Sequence, residues 1–341
     1  MSGVQRHLDV SRIRYLPAVT GDGFELTPGE PLGAGLRRLG VEQAEHALRG
    51  LAGDAEDIDH AVHETRKAMK RLRAILRLVR SEIGERAYKY ENRSLRDAAR
   101  LLAGVRDGAV AVETVTNLAA RFEGSLPVDV FDDLAERLDR RALQIRNRVL
   151  FESDSVDQVA STLERTRIRF AAWPVEPGES AVYGKPIKDR FGSIRSGLIG
   201  TYGRGRTEMK RAYTRPTATH FHLWRKRVKY LRHQMEILNP LWPEVVGGTA
   251  IVLDELGHIL GEEHDLAALL GLLTVDQQLC PDPVERSLFA ALAQHRRSEL
   301  QAVARVLGMR VYTEKPDRFA SRMGAYWEST RLSLEVGFDV E

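Results

Sequence analysis

The eleven residues His63–Arg73, HETRKAMKRLR, return at His222–Arg232 as HLWRKRVKYLR, at a constant offset of 159. Six of the eleven positions are identical, and five of those six are His, Arg or Lys. A repeat that served packing alone would match mainly at its apolar positions. An internal repeat has to be placed before any fold is considered, and this one requires two half-chains that each present the same cationic element.

On a helix turning about 100° per residue, Arg66, Lys67, Lys70, Arg73 and Arg77 fall within roughly 80° of His63 and roughly 120° in total. Met69, Leu72, Ile75, Leu76 and Val79 gather on the opposite side. One face can pack and the other is a ladder of cations. A solvated basic face is the plain reading of a single such helix. The second copy, His222, Arg225, Lys226, Lys229 and Arg232 with His233 next to it, argues for a shared role.

Two further ladders flank the stripes. A helix over about 85–105 aligns Arg93, Arg96 and Arg100 on one side, with Asp97 able to pair one turn away. A helix over about 186–212 carries Arg204, Arg206 and Lys210. Gly197, Gly200, Gly203 and Gly205 either weaken that helix or let a neighbour approach closely. Setting Asp107 on Asp265, at offset 158, places Arg100 on His258 and Asp97 on Glu255. Asp254, Glu255 and Glu262 then stand where the first half has its arginine ladder, so the halves contribute unequally to any common channel.

Leu, Ala, Arg and Glu dominate and Pro is sparse in the periodic stretches, which predicts an all-α fold. The expected organisation is an irregular segment or small hairpin over 1–30, a first helical half over 31–172, a linker over 173–184 rich in Pro and Gly, and a second half over 185–335. Each half has about six helical segments, enough for a four-helix bundle with long helices broken in places. Separate helices are expected at about 243–260 and 263–277.

The net charge of +3 conceals segregation: residues 63–106 carry +8, residues 184–233 carry +12, and the remainder carries −17. Such a local field favours a polyanion. One cysteine, Cys280, excludes a disulfide framework within the chain. No apolar run approaches the 18–20 residues that span a bilayer, and the N-terminus lacks an apolar signal core, so a cytoplasmic protein without membrane contact is expected.

Catalytic signals are poor. No Gly-x-Ser-x-Gly elbow or phosphate-binding Gly loop occurs, and Gly203-Arg204-Gly205-Arg206 lacks the strand and the Lys-Ser/Thr of a P-loop. His60-x-x-His63 and Glu255-x-x-His258 have helical spacing, but only one half has the Glu-x-x-His that paired metal bundles need. No cofactor or metal is expected. Phe221, Trp224 and Tyr230 stand among cations, which keeps single-stranded nucleic-acid binding open as an alternative. An accessory or granule-associated scaffold is a third class.

The paired stripes resemble the CHAD family, the conserved histidine α-helical domain. The resemblance rests on His63-x-x-Arg66-Lys67-x-x-Lys70-Arg71-Leu72-Arg73 and on its second copy. It also rests on Leu101-Leu102-Ala103-Gly104 leading to Asp107, on Leu260-Gly261-x-x-His264-Asp265, and on Tyr202-x-Arg204-x-Arg206. It covers about residues 30–335. It implies two pseudo-symmetric four-helix bundles around a basic central cavity that binds inorganic polyphosphate without catalysis, in some cases at polyphosphate granules. Members occur alone or behind a CYTH catalytic domain; about 30 residues precede the match here, so the stand-alone arrangement is expected. Under that resemblance the phosphate contacts are the stripe, ladder and 204–210 residues named above.

Overall fold

The computed structural model describes residues 23–53, 58–124, 128–175 and 186–336, without the side chains of 128 and 129. Among these residues all regular structure is helical. The first half holds α1 (Leu32–Leu51), α2 (Ile58–Leu78), the single turn α3 (Arg80–Ile83), α4 (Glu85–Leu101), α5 (Ala103–Arg121), α6 (Val128–Phe151) and α7 (Ser155–Ala171). The second holds α8 (Gly192–Thr214), α9 (Ala218–Ile237), α10 (Gly248–Val275), α11 (Pro283–Val311) and α12 (Pro316–Val336).

The pairing of helices repeats between the halves. α1 packs on α2 and α7, and α2 on α4; correspondingly α8 packs on α9 and α12, and α9 on α10. α5 pairs with α6 as α10 pairs with α11. The apolar stripe of α2 is fully buried at Met69, Leu72, Ile75 and Leu76, which is what turns its cationic face away from the core. One apolar cluster runs through α1, α2, α4, α8, α9 and α10, so the stripe helices of both halves share an interior. A second cluster joins α5 and α6 to the far ends of α10 and α11, through Leu118, Phe131, Leu269 and Phe289.

α8 crosses α2 where Gly197 sits: a Cβ there would stand 2.0 Å from the Leu78 carbonyl oxygen. At Gly205 a Cβ would stand 2.3 Å from the Tyr312 hydroxyl. These glycines therefore serve close approach and not helix weakening.

One expectation needs correction. α10 is one unbroken 28-residue helix, preceded by a π-helical turn at Pro243–Gly247, where two helices were expected. Its first-half counterpart does break, at Leu102, between α4 and α5. Residues 1–22 and 176–185, which carry most of the expected hairpin and of the linker, lie outside the described residues. The described part, residues 23–30, contains no strand; it ties down through Leu26 N–H donating to the Ile237 carbonyl at 3.1 Å.

Candidate functional site

α2 and α9 pack against each other. Arg66 donates from Nη1 to the Ala99 carbonyl at 2.9 Å and places Nη2 4.0 Å from Asp107. Its counterpart Arg225 is held by the charge of Asp265 and faces Arg66, Asp107 and Arg106. The Arg225 Nε is buried with no hydrogen-bond partner among the described residues.

The stripe lysines meet in the middle. Burial, then the charges of Arg66, Arg225, Arg106 and Arg232, push the Lys70 ammonium from its ordinary 10.5 down to about 8. Burial, then Arg225, Lys70 and Arg232, push Lys229 down to about 7, with Asp265 opposing. Each lysine is thus near the other repeat's cations. Like charges gathered with so few carboxylates disfavour one another.

The histidines follow the same plan. The rings of His222 and His264 lie 4.1 Å apart, tilted by 33°. Burial and the adjacent cations push His222 to about 4 and His264 to about 3, so both are neutral at neutral pH. His63 is half exposed and pushed down by burial and by Arg106. Arg106 corresponds to His264 at offset 158, so each stripe histidine has beside it the residue that precedes a central aspartate.

Other candidates spread outward. Lys226 is lowered by burial and by the charges of Arg227, Arg73 and Arg100. Arg73 donates from Nε to the Asn92 Oδ1 at 3.1 Å. Arg232 is tied to Asp254 at 2.6 Å and Glu236 at 2.9 Å, and Lys67 to Glu64 at 3.3 Å.

Several candidates are not brought to the cluster. Arg77 is 6% exposed; it lies 3.7 Å over the Tyr230 ring and donates to Asn92 and to the Arg73 carbonyl, so it supports Arg73 from behind. His233 is buried, bonded to Glu236 at 2.7 Å and edge-on to Phe24. Arg204 and Arg206, two residues apart, point about 200° apart on α8. Arg204 stands near Arg227 and Arg80, whereas Arg206 lies by Tyr202, on the side of Glu314 and Arg322. Lys210 is exposed on α8. Arg96 binds Asp97 at 2.9 Å in an exposed pair, and Arg93 acts on the same aspartate.

The acidic ladder divides. Asp254 faces inward onto Arg232, Glu262 turns to Arg296 of α11 at 2.6 Å, and Glu255 is exposed. Sequence reasoning missed Arg106, Arg227 and His264 as members. The 158 offset already carried the Arg106–His264 signal; Arg227 matches Ala68 and had none. Among the described residues no group of three His, Cys, Asp or Glu is arranged to hold a metal. Phe221, Trp224 and Tyr230 are buried, and Trp224 is 0% exposed, so none of them offers a face to a base.

The family model of the CHAD domain matches residues 38–274. Among solved structures, PptA from Streptomyces chartreusis is similar, with a TM-score of 0.55 at 16% identity, covering 84% of this chain and 100% of that one. At that identity the likeness concerns the fold. No curated protein matches this chain.

Proposed function

The chain belongs to the CHAD family, and from that premise we propose that it binds inorganic polyphosphate, without turning it over, in a basic cavity lined by both helical repeats. The observation that carries this reading is the meeting of Lys70 and Lys229, one from each repeat, among Arg66, Arg106 and Arg225. A chain of phosphates supplies closely spaced charge and presents no base to read. Arginines would hold its oxygens through charge-assisted hydrogen bonds, and lysines as point charges. His222, neutral in the free protein, would act as a hydrogen-bonding group and not as a cation.

Binding to nucleic acid is the second reading, and the burial of Phe221, Trp224 and Tyr230 weighs against it, since single-strand binders stack bases on open aromatic faces. The test is competition of polyphosphate against RNA of matched charge at one fixed salt concentration, with phosphate release followed in parallel. Polyphosphate should win by a wide margin and release none. Equal affinity would favour the second reading, and released phosphate would make the protein an enzyme. A binder of this kind would gather at polyphosphate granules, which a fluorescent fusion would report.

A further inference from the structure

The repeat is symmetric in its stripes and asymmetric in what surrounds them. Outward from the centre, one arm carries Arg73, Arg77, Arg100, Lys226 and Arg227. Their counterparts at offset 158 or 159 are Arg232, Glu236, His258, Lys67 and Ala68. Five cations on one side thus face two on the other, where Glu236, His258 and Ala68 take the remaining three positions.

The partners sharpen the contrast. On the first arm Arg73 and Arg77 bond to the neutral amide of Asn92. α8 adds Arg204, whose guanidinium is pushed down by burial and by the charges of Arg227 and Arg80. The Nε atoms of Arg204 and Arg227 are buried with no hydrogen-bond partner among the described residues. On the second arm Arg232 is engaged by both Asp254 and Glu236, and Lys67 by Glu64. Glu236 also takes His233, and α1 brings His46 to within 3.8 Å of Glu64. On the first arm only Arg100 meets a carboxylate, Asp97 at 3.3 Å in an exposed pair; among the described residues Arg73, Lys226, Arg227 and Arg204 have no carboxylate within ion-pair distance. On the second arm a polyanion would have to displace carboxylates from the very cations it needs.

We propose that the site is one-armed: a phosphate chain runs from the central cluster along Arg100, Lys226, Arg73, Arg227 and Arg204, and does not extend along the pseudo-symmetric arm of Lys67 and Arg232. This rests on the polyphosphate reading above and adds a direction to it. Arg77, buried behind Arg73, contributes field and no contact. Arg80, paired to Glu85 at 2.7 Å, marks where the track reaches neutralised surface.

Lys226 and Lys67 are the same residue type at equivalent positions, so the repeat supplies its own control. Affinity for polyphosphate of defined length is measured at several salt concentrations for Lys226→Ala, Lys67→Ala, and the central double variant Lys70→Ala with Lys229→Ala. Thermal melting checks that each variant is folded, and Lys226→Arg checks that charge is what matters. One lost phosphate contact lowers the slope of log affinity against log salt by on the order of 0.7–1. Lys226→Ala should show that loss, Lys67→Ala less than half of it, and Lys226→Arg should restore it. Equal losses at Lys226 and Lys67, or a larger one at Lys67, would overturn the one-armed track while leaving polyphosphate binding intact. An unchanged affinity in the central double variant would overturn the polyphosphate site itself.

Discussion

Affinity for polyphosphate should fall as pH rises through 7 to 9, and the two central lysines set the size of the effect. Lys229 is pushed down to about 7 and Lys70 to about 8. In the free protein at pH 7, about half of Lys229 and about nine-tenths of Lys70 are then charged; at pH 9 these become about 1% and about 9%. A bound phosphate chain favours the charged ammonium and moves both values back up. If both lysines stay charged in the complex to pH 9, affinity drops roughly 500-fold between pH 7 and 9. Binding then takes up about 0.6 proton at pH 7 and about 1.9 at pH 9, which calorimetry in buffers of different ionisation enthalpy measures directly. The free protein should change the opposite way. Between about 7 and the ordinary 10.5 the unfolded chain holds more protons on these lysines, so their contribution to stability rises with pH. Lys70→Arg with Lys229→Arg keeps the charge and removes the titration, because a guanidinium does not deprotonate in this range. That variant should bind with a nearly flat pH profile. A flat profile in the unaltered protein, or a steep one that survives in the arginine variant, would refute the placement of these lysines at the anion.

Arg66→Ala with Lys70→Ala, and Arg225→Ala with Lys229→Ala, should weaken polyphosphate binding comparably and each reduce the salt slope by on the order of 1–2. A silent first pair beside a disabling second pair would mean that only one repeat binds, and the exposed Arg318, away from the cluster, serves as the neutral control. Asp265→Asn should tighten binding and lower the melting temperature, since Asp265 offsets the Arg225 charge that the anion competes for; weaker binding would show that it organises the site instead. Gly197→Ala puts a methyl 2.0 Å from a backbone oxygen that cannot swing aside, and should cost about 1–3 kcal/mol in chemical denaturation, a cost that a loosely packed crossing would not show.

The sequence exposed the stripes because their signal is periodic and duplicated. The identity of His63 with His222 and of Lys70 with Lys229 survives any uncertainty in helix ends. What stayed hidden depends on which neighbour a side chain meets. Arg77 and Arg73 share one helical face, yet Tyr230 covers the first and leaves the second half open. Arg204 and Arg206 look alike in a string, but a helix sends them to opposite sides. His233 reads as the end of a basic run and is in fact a core residue bonded to Glu236. Leu102 was legible only as one apolar residue among others, although it is where α4 breaks from α5 while α10 continues. Helix continuity there is decided by tertiary packing, which local propensity does not record.

The charge asymmetry between the two arms follows from a physical conflict at their centre. Two identical stripes brought together concentrate cations in a partly buried place, where each is costly unless it is paired. Pairing all of them would leave nothing for a ligand. The chain divides the task by position. At the centre Asp107 and Asp265 each stand opposite one arginine, and Lys70 and Lys229 are left to shed protons. On the Arg232 side, carboxylates settle the charge in the fold itself. On the Lys226 side neutral groups, Asn92 and Tyr230, hold Arg73 and Arg77 in place without offsetting them, and only the exposed Arg100 meets a carboxylate. An Arg232 arm as free of carboxylates as the Lys226 arm would bind a polyanion more strongly and hold itself together less well. Asp254 of α10 and Glu236 of α9, which break the repeat in sequence, are on this account what lets the repeated stripes coexist.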